Sequence, residues 1–266
     1  MSHVHPLQLT NASTLMSIAF FIIYIGYLSA VLYSNKRFNN WPLYRFILFT
    51  LGIFCLVIAT SGPLAKLAHE SFSFHMVSHL LLGMIAPLLI VLSAPMTLLF
   101  RSLSTKTAKR LTYFLRRKPI QLLLHPIVTS ILNMGGLWLL YTTNIYTLMH
   151  EHTLLYLFIH LHVFFAGYLF TASIIYIDPI AHRISYLFRS IVLVLALSSH
   201  AILAKYIYAF PPTGVLRHDA EIGGMLMYYG GDLVDLIIII ILCNEWYKSA
   251  RPKLRQSNAN QKIPAQ

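Results

Sequence analysis

Long apolar stretches alternate along this chain with short breaks rich in proline, polar residues or charge. Apolar runs lie near residues 12–33, 43–60, 74–99, 120–141, 153–176, 187–208 and 223–243. Between them fall Asn35 to Pro42, Ser61 to Pro63, Arg101 to Lys118, Thr142 to Asn144, Asp178-Pro179 and Pro211 to Gly214. An apolar run of about 18 residues or more is long enough to cross a hydrocarbon core as a helix. None of the runs alternates with period two, as a membrane barrel would. The pattern predicts an all-α integral membrane protein, a bundle of seven transmembrane helices. Residues 1–250 form a single domain in this reading, followed by a polar, disordered cytoplasmic tail over 251–266. The first run is too long for the apolar region of a signal peptide and no cleavage-like site follows it, so it is read as the first span. No internal repeat of the kind that builds many transporters is visible.

Composition agrees with the pattern. Hydrophobic residues make up 57% of the chain and charged residues 11%, a balance that leaves a soluble fold without its polar shell. The net charge of +12 would raise the question of nucleic acid, but its distribution answers it. Of the 20 Lys and Arg, all but Lys66, Lys205 and Arg217 fall after spans one, three and five, at the inner end of span two or in the C-terminal segment. The positive-inside rule then places the N-terminus outside and the C-terminus in the cytoplasm, which requires an odd number of spans. The basic loop 101–118 is a topology signal and a candidate contact for anionic lipid, not a nucleic-acid patch. The two cysteines, Cys55 and Cys243, sit inside apolar runs without CxxC spacing, so no disulfide framework or thiolate metal motif is expected.

Orientation exposes a second asymmetry. Among thirteen histidines, only His125 and His182 fall near the basic side. His75 and His79 stand at i and i+4, on one face of span three, a spacing that lets two imidazoles reach one metal ion. His79 lies roughly 8 Å inside its span, and His160 and His200 roughly 10–12 Å inside theirs, at 1.5 Å per residue. These four form a candidate metal set at comparable depth on three helices; interhelical hydrogen bonding is the competing reading. His150 and His152 are expected on the solvated outer loop, and His162 points away from His160. His3 and His5 form a short H-x-H arm that binds Cu(II) or Zn(II) weakly at most. Thioether sulfur favours Cu(I) and imidazole suits copper generally, which adds Met227 to the candidates, although most methionines here are core filler. Among the acidic residues Asp219, Asp232 and Asp235 stand out, as ligand supports or as proton or cation sites. A structural pairing of Asp232 with Lys205 is the alternative. Two further functions stay open on these residues. One is a haem b redox protein, with His79 and His160 or His75 and His200 as axial ligands. The other is a copper or proton transporter using Asp232 and Asp235. No nucleophile–base pair, phosphate loop or nucleotide motif points to an enzyme.

The segment from Ser73 through His75, Met76, His79 and Gly83 to Pro87 and Pro95 resembles the signature of the CtaG family of cytochrome c oxidase assembly factors. So do Asp219 to Tyr228, Gly230-Gly231-Asp232 and the stretch His160 to Phe170. Matching positions are His75, His79, His160, Asp219, Gly223, Gly224 and Met227. Ser78, Ile159 and Ala220-Glu221 depart from the family's usual residues. The resemblance covers essentially the whole chain. It implies a seven-helix chaperone of the respiratory chain in a bacterial inner membrane. Such a protein assists maturation of a haem–copper oxidase subunit, its partner, by handling copper near the periplasmic face.

Overall fold

The computed structural model describes residues 6–180 and 183–251, with side chains from residue 12 onward. The His3/His5 arm, His182 and the tail beyond residue 251 lie outside the described residues. Those described form helices and no strand. In chain order they are α1 (Pro6–Arg37), α2 (Leu43–Thr60), a short α3 (Gly62–Glu70), α4 (Phe72–Leu80) and α5 (Ala86–Leu92). Then come α6 (Pro95–Ser102), α7 (Thr105–Leu115), α8 (Lys118–Leu123), α9 (Pro126–Ser130), α10 (Gly136–Thr142) and α11 (Ile145–Glu151). The long α12 (Thr153–Ile174), α13 (Tyr186–Ala209) and α14 (Arg217–Ala250) complete the chain.

Six helical stretches among the described residues are long and apolar enough to cross a membrane: Ala12–Arg37, Leu43–Thr60, Phe72–Leu92, Thr153–Ile174, Tyr186–Ala209 and Arg217–Ala250. They match six of the seven expected spans. The expected fourth span is helical but divided. It breaks at His125-Pro126, because proline cannot donate a backbone hydrogen bond within a helix. Its remaining part, 126–142, passes through a wide turn at Ile131–Gly135. Span three carries a similar wide turn at Leu81–Ile85, ahead of Pro87. It ends at Leu92 rather than continuing to residue 99. Ala94 takes the left-handed conformation at φ 53° before Pro95 opens α6, and the chain turns there.

Large apolar side chains face outward along α1, α2, α13 and α14, among them Phe21, Phe54, Leu195 and Leu233. On helices of this length such exposure is what lipid contact requires. Small residues set the inner packing. α14 lies against both α13 and α4, and α12 against α5. A side chain at Gly167 would run into the backbone carbonyl of Gly83, so α12 and span three approach closely only because both positions are glycine.

The few charges inside the bundle tie helix ends. Asp219 at the start of α14 accepts hydrogen bonds from the backbone amides of Phe72 and Ser73, the latter at 3.0 Å, and from the Ser71 and Ser73 hydroxyls. It thereby satisfies orphan donors at the N-terminus of α4. Asp178 does the same for α6, accepting from Met96 and Thr97 amides at 3.1 and 2.7 Å. At the basic end, Arg189 is 1% exposed. It donates to the carbonyl of Ile174, lies 3.6 Å from Glu245 and faces the rings of Tyr176 and Tyr186. Three helices, α12, α13 and α14, meet on that one guanidinium.

Candidate metal centre between the helices

His75, His79, His160 and His200 are all buried, with between 2% and 8% of their surface exposed. A buried imidazole needs a partner for its polar nitrogens, because desolvation is otherwise uncompensated. The partners sort these histidines into two levels.

At the inner level, the rings of His79 on α4 and His200 on α13 are 6.4 Å apart and inclined by 24°. The Nε2 atom of each is buried without a hydrogen-bond partner. Gly231 on α14 makes room for His200, since a side chain there would overlap the ring. With a metal–nitrogen bond of about 2 Å on each side, two imidazoles opposed across one ion stand roughly 6 Å apart. Beside the pair lies a cavity of about 20 Å³, whose polar lining comes from His79, His200, Asn133, Thr171 and Asp235. That is room for about one water or one ion.

At the outer level, His75 makes its own contacts. Its Nε2 lies 3.1 Å from the Tyr141 hydroxyl, and the Tyr141 ring edge stands against both rings, at 6.0 and 6.2 Å. His75 turns instead toward Tyr146 and His150, at 5.0 and 6.3 Å between ring centres. His160 donates from Nδ1 to the Tyr156 carbonyl at 2.9 Å, which leaves Nε2 as the nitrogen with a free lone pair. Its ring stacks at 3.9 Å on Tyr156, whose other face meets His69 at 5.2 Å. His162 takes a separate course and donates to the Leu132 carbonyl at 3.1 Å.

The remaining candidates occupy different surroundings. Met227 is fully buried in the same apolar cluster as Phe72 and Met76. Asp219 is occupied as the helix-end acceptor described above. Asp232 is exposed on the outer face of α14, whereas Asp235, one turn further, is buried and lines the cavity. Lys205 is not within ion-pair distance of Asp232; it lies over the Tyr228 ring at 5.0 Å. Among the described residues no three His, Cys, Asp or Glu side chains gather closely enough to hold a metal ion together. The arrangement supplies nitrogens in pairs.

His150, expected on the solvated outer loop, is instead half-buried at the end of α11 against His69, His75 and Tyr146, because that segment folds back as a helix over the bundle end. Tyr141 and His69 carried no signal in the sequence pattern. The two histidines sit on the short helices α3 and α11, which have too few turns to show a period.

Two uncharacterized mycobacterial proteins are similar to the chain. One, from Mycobacterium leprae (strain TN), is 27% identical over 246 residues, covering 85% of this chain and 37% of that protein. Another, from Mycobacterium bovis (strain ATCC BAA-935 / AF2122/97), is 26% identical over 259 residues, covering 90% of this chain and 39% of that protein. The chain thus spans about two fifths of the length of the curated relatives it matches. No solved structure matches it. The family model described as cytochrome c oxidase caa3 assembly factor (Caa3_CtaG) matches residues 25–249, nearly the whole membrane bundle. The chain therefore belongs to the Caa3_CtaG family of cytochrome c oxidase assembly factors.

Proposed function

We propose that this protein is a non-enzymatic assembly factor that holds Cu(I) between its helices and passes it to a haem–copper oxidase subunit beside it in a bacterial inner membrane. One observation carries the reading: His79 and His200, on different helices, present buried and unpartnered Nε2 atoms at a ring spacing that suits one shared ion. A pair of neutral nitrogens serves Cu(I), which accepts two ligands, better than Zn²⁺, which almost always takes four. His75, one turn from His79 on α4, and His160 on α12 are further buried imidazoles of the same bundle, and Met227 is buried in its apolar core. Asp235 supplies a carboxylate to the adjoining cavity. Because that cavity measures about 20 Å³, it suits an ion rather than a porphyrin, and copper is favoured over haem b on the same residues. The oxidase is the recipient because the family is one of oxidase assembly factors.

The test is metal content and maturation together. Protein purified in detergent is loaded with Cu(I), the parent beside the His79→Ala/His200→Ala variant, and each is tested for restoring oxidase activity in a strain lacking the gene. Copper retained by the parent and lost from the variant, with oxidase maturation lost in step, is the expected result. Equal copper in both proteins would remove this pair from the mechanism.

A further inference from the structure

We propose a second Cu(I) site at the outer end of the bundle, formed by His69 and His150, that loads the inner pair. It rests on the copper-handling reading above and adds to it a place where the ion arrives. His69 lies at the end of α3 and His150 at the end of α11, both outside the long spans. Their rings meet edge to face with centres 5.0 Å apart. Both residues are half-buried, unlike the buried histidines beneath them. His69 Nε2 is buried with no hydrogen-bond partner. His150 Nδ1 donates to the Tyr146 carbonyl at 2.8 Å, which assigns the lone pair to its Nε2 and orients the ring as a metal-binding imidazole requires. Burial, followed by the neighbouring His150 and His160, pushes His69 down to about 4. Burial also pushes His150 down, against that hydrogen bond.

The spacing of 5.0 Å is shorter than the roughly 6 Å of opposed rings, so an ion held here sits in a bent arrangement with one side open. An open side is what a transfer site needs. A ligand of the incoming carrier occupies it while the imidazoles take over, and the copper moves as Cu(I), each arriving lone pair replacing a departing one without oxidation. The exposed carboxylates of Glu70 and Glu151, each next in sequence to one of the two histidines, draw cations to this mouth. Below it, His75 lies 6.3 Å from His150, and Tyr141 separates His75 from the inner pair.

Stoichiometry tests the two-site arrangement directly. Detergent-purified protein is titrated with Cu(I) against bicinchoninate, comparing the parent with His69→Gln/His150→Gln and with His79→Gln/His200→Gln. Melting curves and size-exclusion elution check that each variant is folded. The expected result is two equivalents in the parent, one in either double variant, and an X-ray absorption spectrum showing imidazole scattering. If His69→Gln/His150→Gln holds as much copper as the parent, the outer site is overturned while a loss at His79/His200 leaves the inner reading intact. If the copper lost belongs to His69/His150 alone, the outer site stands and the inner one falls. A parent that holds one equivalent, still held after His69→Gln/His150→Gln, overturns the outer loading site.

Discussion

Single residues in this bundle carry more than their number suggests, because a charge within apolar surroundings is costly unless it is matched. Arg189 is the clearest case. Its guanidinium answers the carbonyl at the end of α12, the Glu245 carboxylate on α14 and two tyrosine rings. Removing the arginine strips the buried Ile174 carbonyl of its donor and the partly buried Glu245 of its counter-charge. We expect Arg189→Ala to lower the unfolding midpoint sharply in a detergent thermal melt, and Arg189→Ala/Glu245→Gln to recover part of the loss. Recovery is the informative measurement; without it, the packing of the arginine stem rather than the charge holds the three helices. Asp219 behaves differently because its work is local. Asp219→Ala strips acceptors from the amides of Phe72 and Ser73. Hydrogen bonds to a charged group contribute about 1.5–3 kcal/mol, so the variant should melt lower by a comparable amount. If that loss frees the first turn of α4, hydrogen exchange in 72–76 rises while exchange in α13 does not.

Helical spacing alone leaves one arrangement undecided at this scale. His75 and His79 share a helix face, as i and i+4 require, yet their ring contacts differ. Tyr141 comes from another helix and stands against both rings. One histidine faces outward to His150 and the other across to His200. No local pattern contains that information, since it depends on how three helices rotate about their own axes.

At the level of elements, the hydropathy pattern located the long spans well, because every backbone group in hydrocarbon must be satisfied within its own helix. Six of the seven runs became helices of spanning length. The discrepancies have backbone causes. Pro126 divides the expected fourth span, and Ala94 with Pro95 ends the third early. Apolar composition records neither event, since it registers solvent preference and not hydrogen-bond continuity. The glycine contacts were legible only as a possibility of close approach. Gly167 and Gly83 turn out to be where α12 meets span three, whereas Gly26 has open space around it. A methyl group at Gly167 must displace backbone, and overpacking of this kind costs about 1–3 kcal/mol. Gly167→Ala should therefore lower the melting point measurably and Gly26→Ala should not. Equal effects would mean that the two glycines matter through backbone freedom and not through contact.

For the molecule as a whole, two asymmetries run along the same axis. Lys and Arg crowd the loops at one end, and the histidine pairs lie toward the other. The first predicts an orientation through the positive-inside rule, and the reading of the second depends on it. With the basic end in the cytoplasm, the proposed mouth at His69 and His150 would face outward, and the proposed copper handling would start from outside the membrane. A reversed orientation would open the same histidines to the cytoplasm, and the direction of copper handling would reverse with it. Reporter fusions after residue 250 separate the two cases. In the expected orientation a fused fluorescent protein that folds only in the cytoplasm lights up, while a fused phosphatase that matures only outside stays inactive. Moving the phosphatase to the break between α11 and α12, at His152, should restore its activity, since His150 ends the preceding helix. The opposite pattern at both positions would leave the histidine geometry untouched and place its mouth on the cytoplasmic side, where the carrier, the redox state of the arriving copper and the face of the oxidase partner would all have to be reassigned.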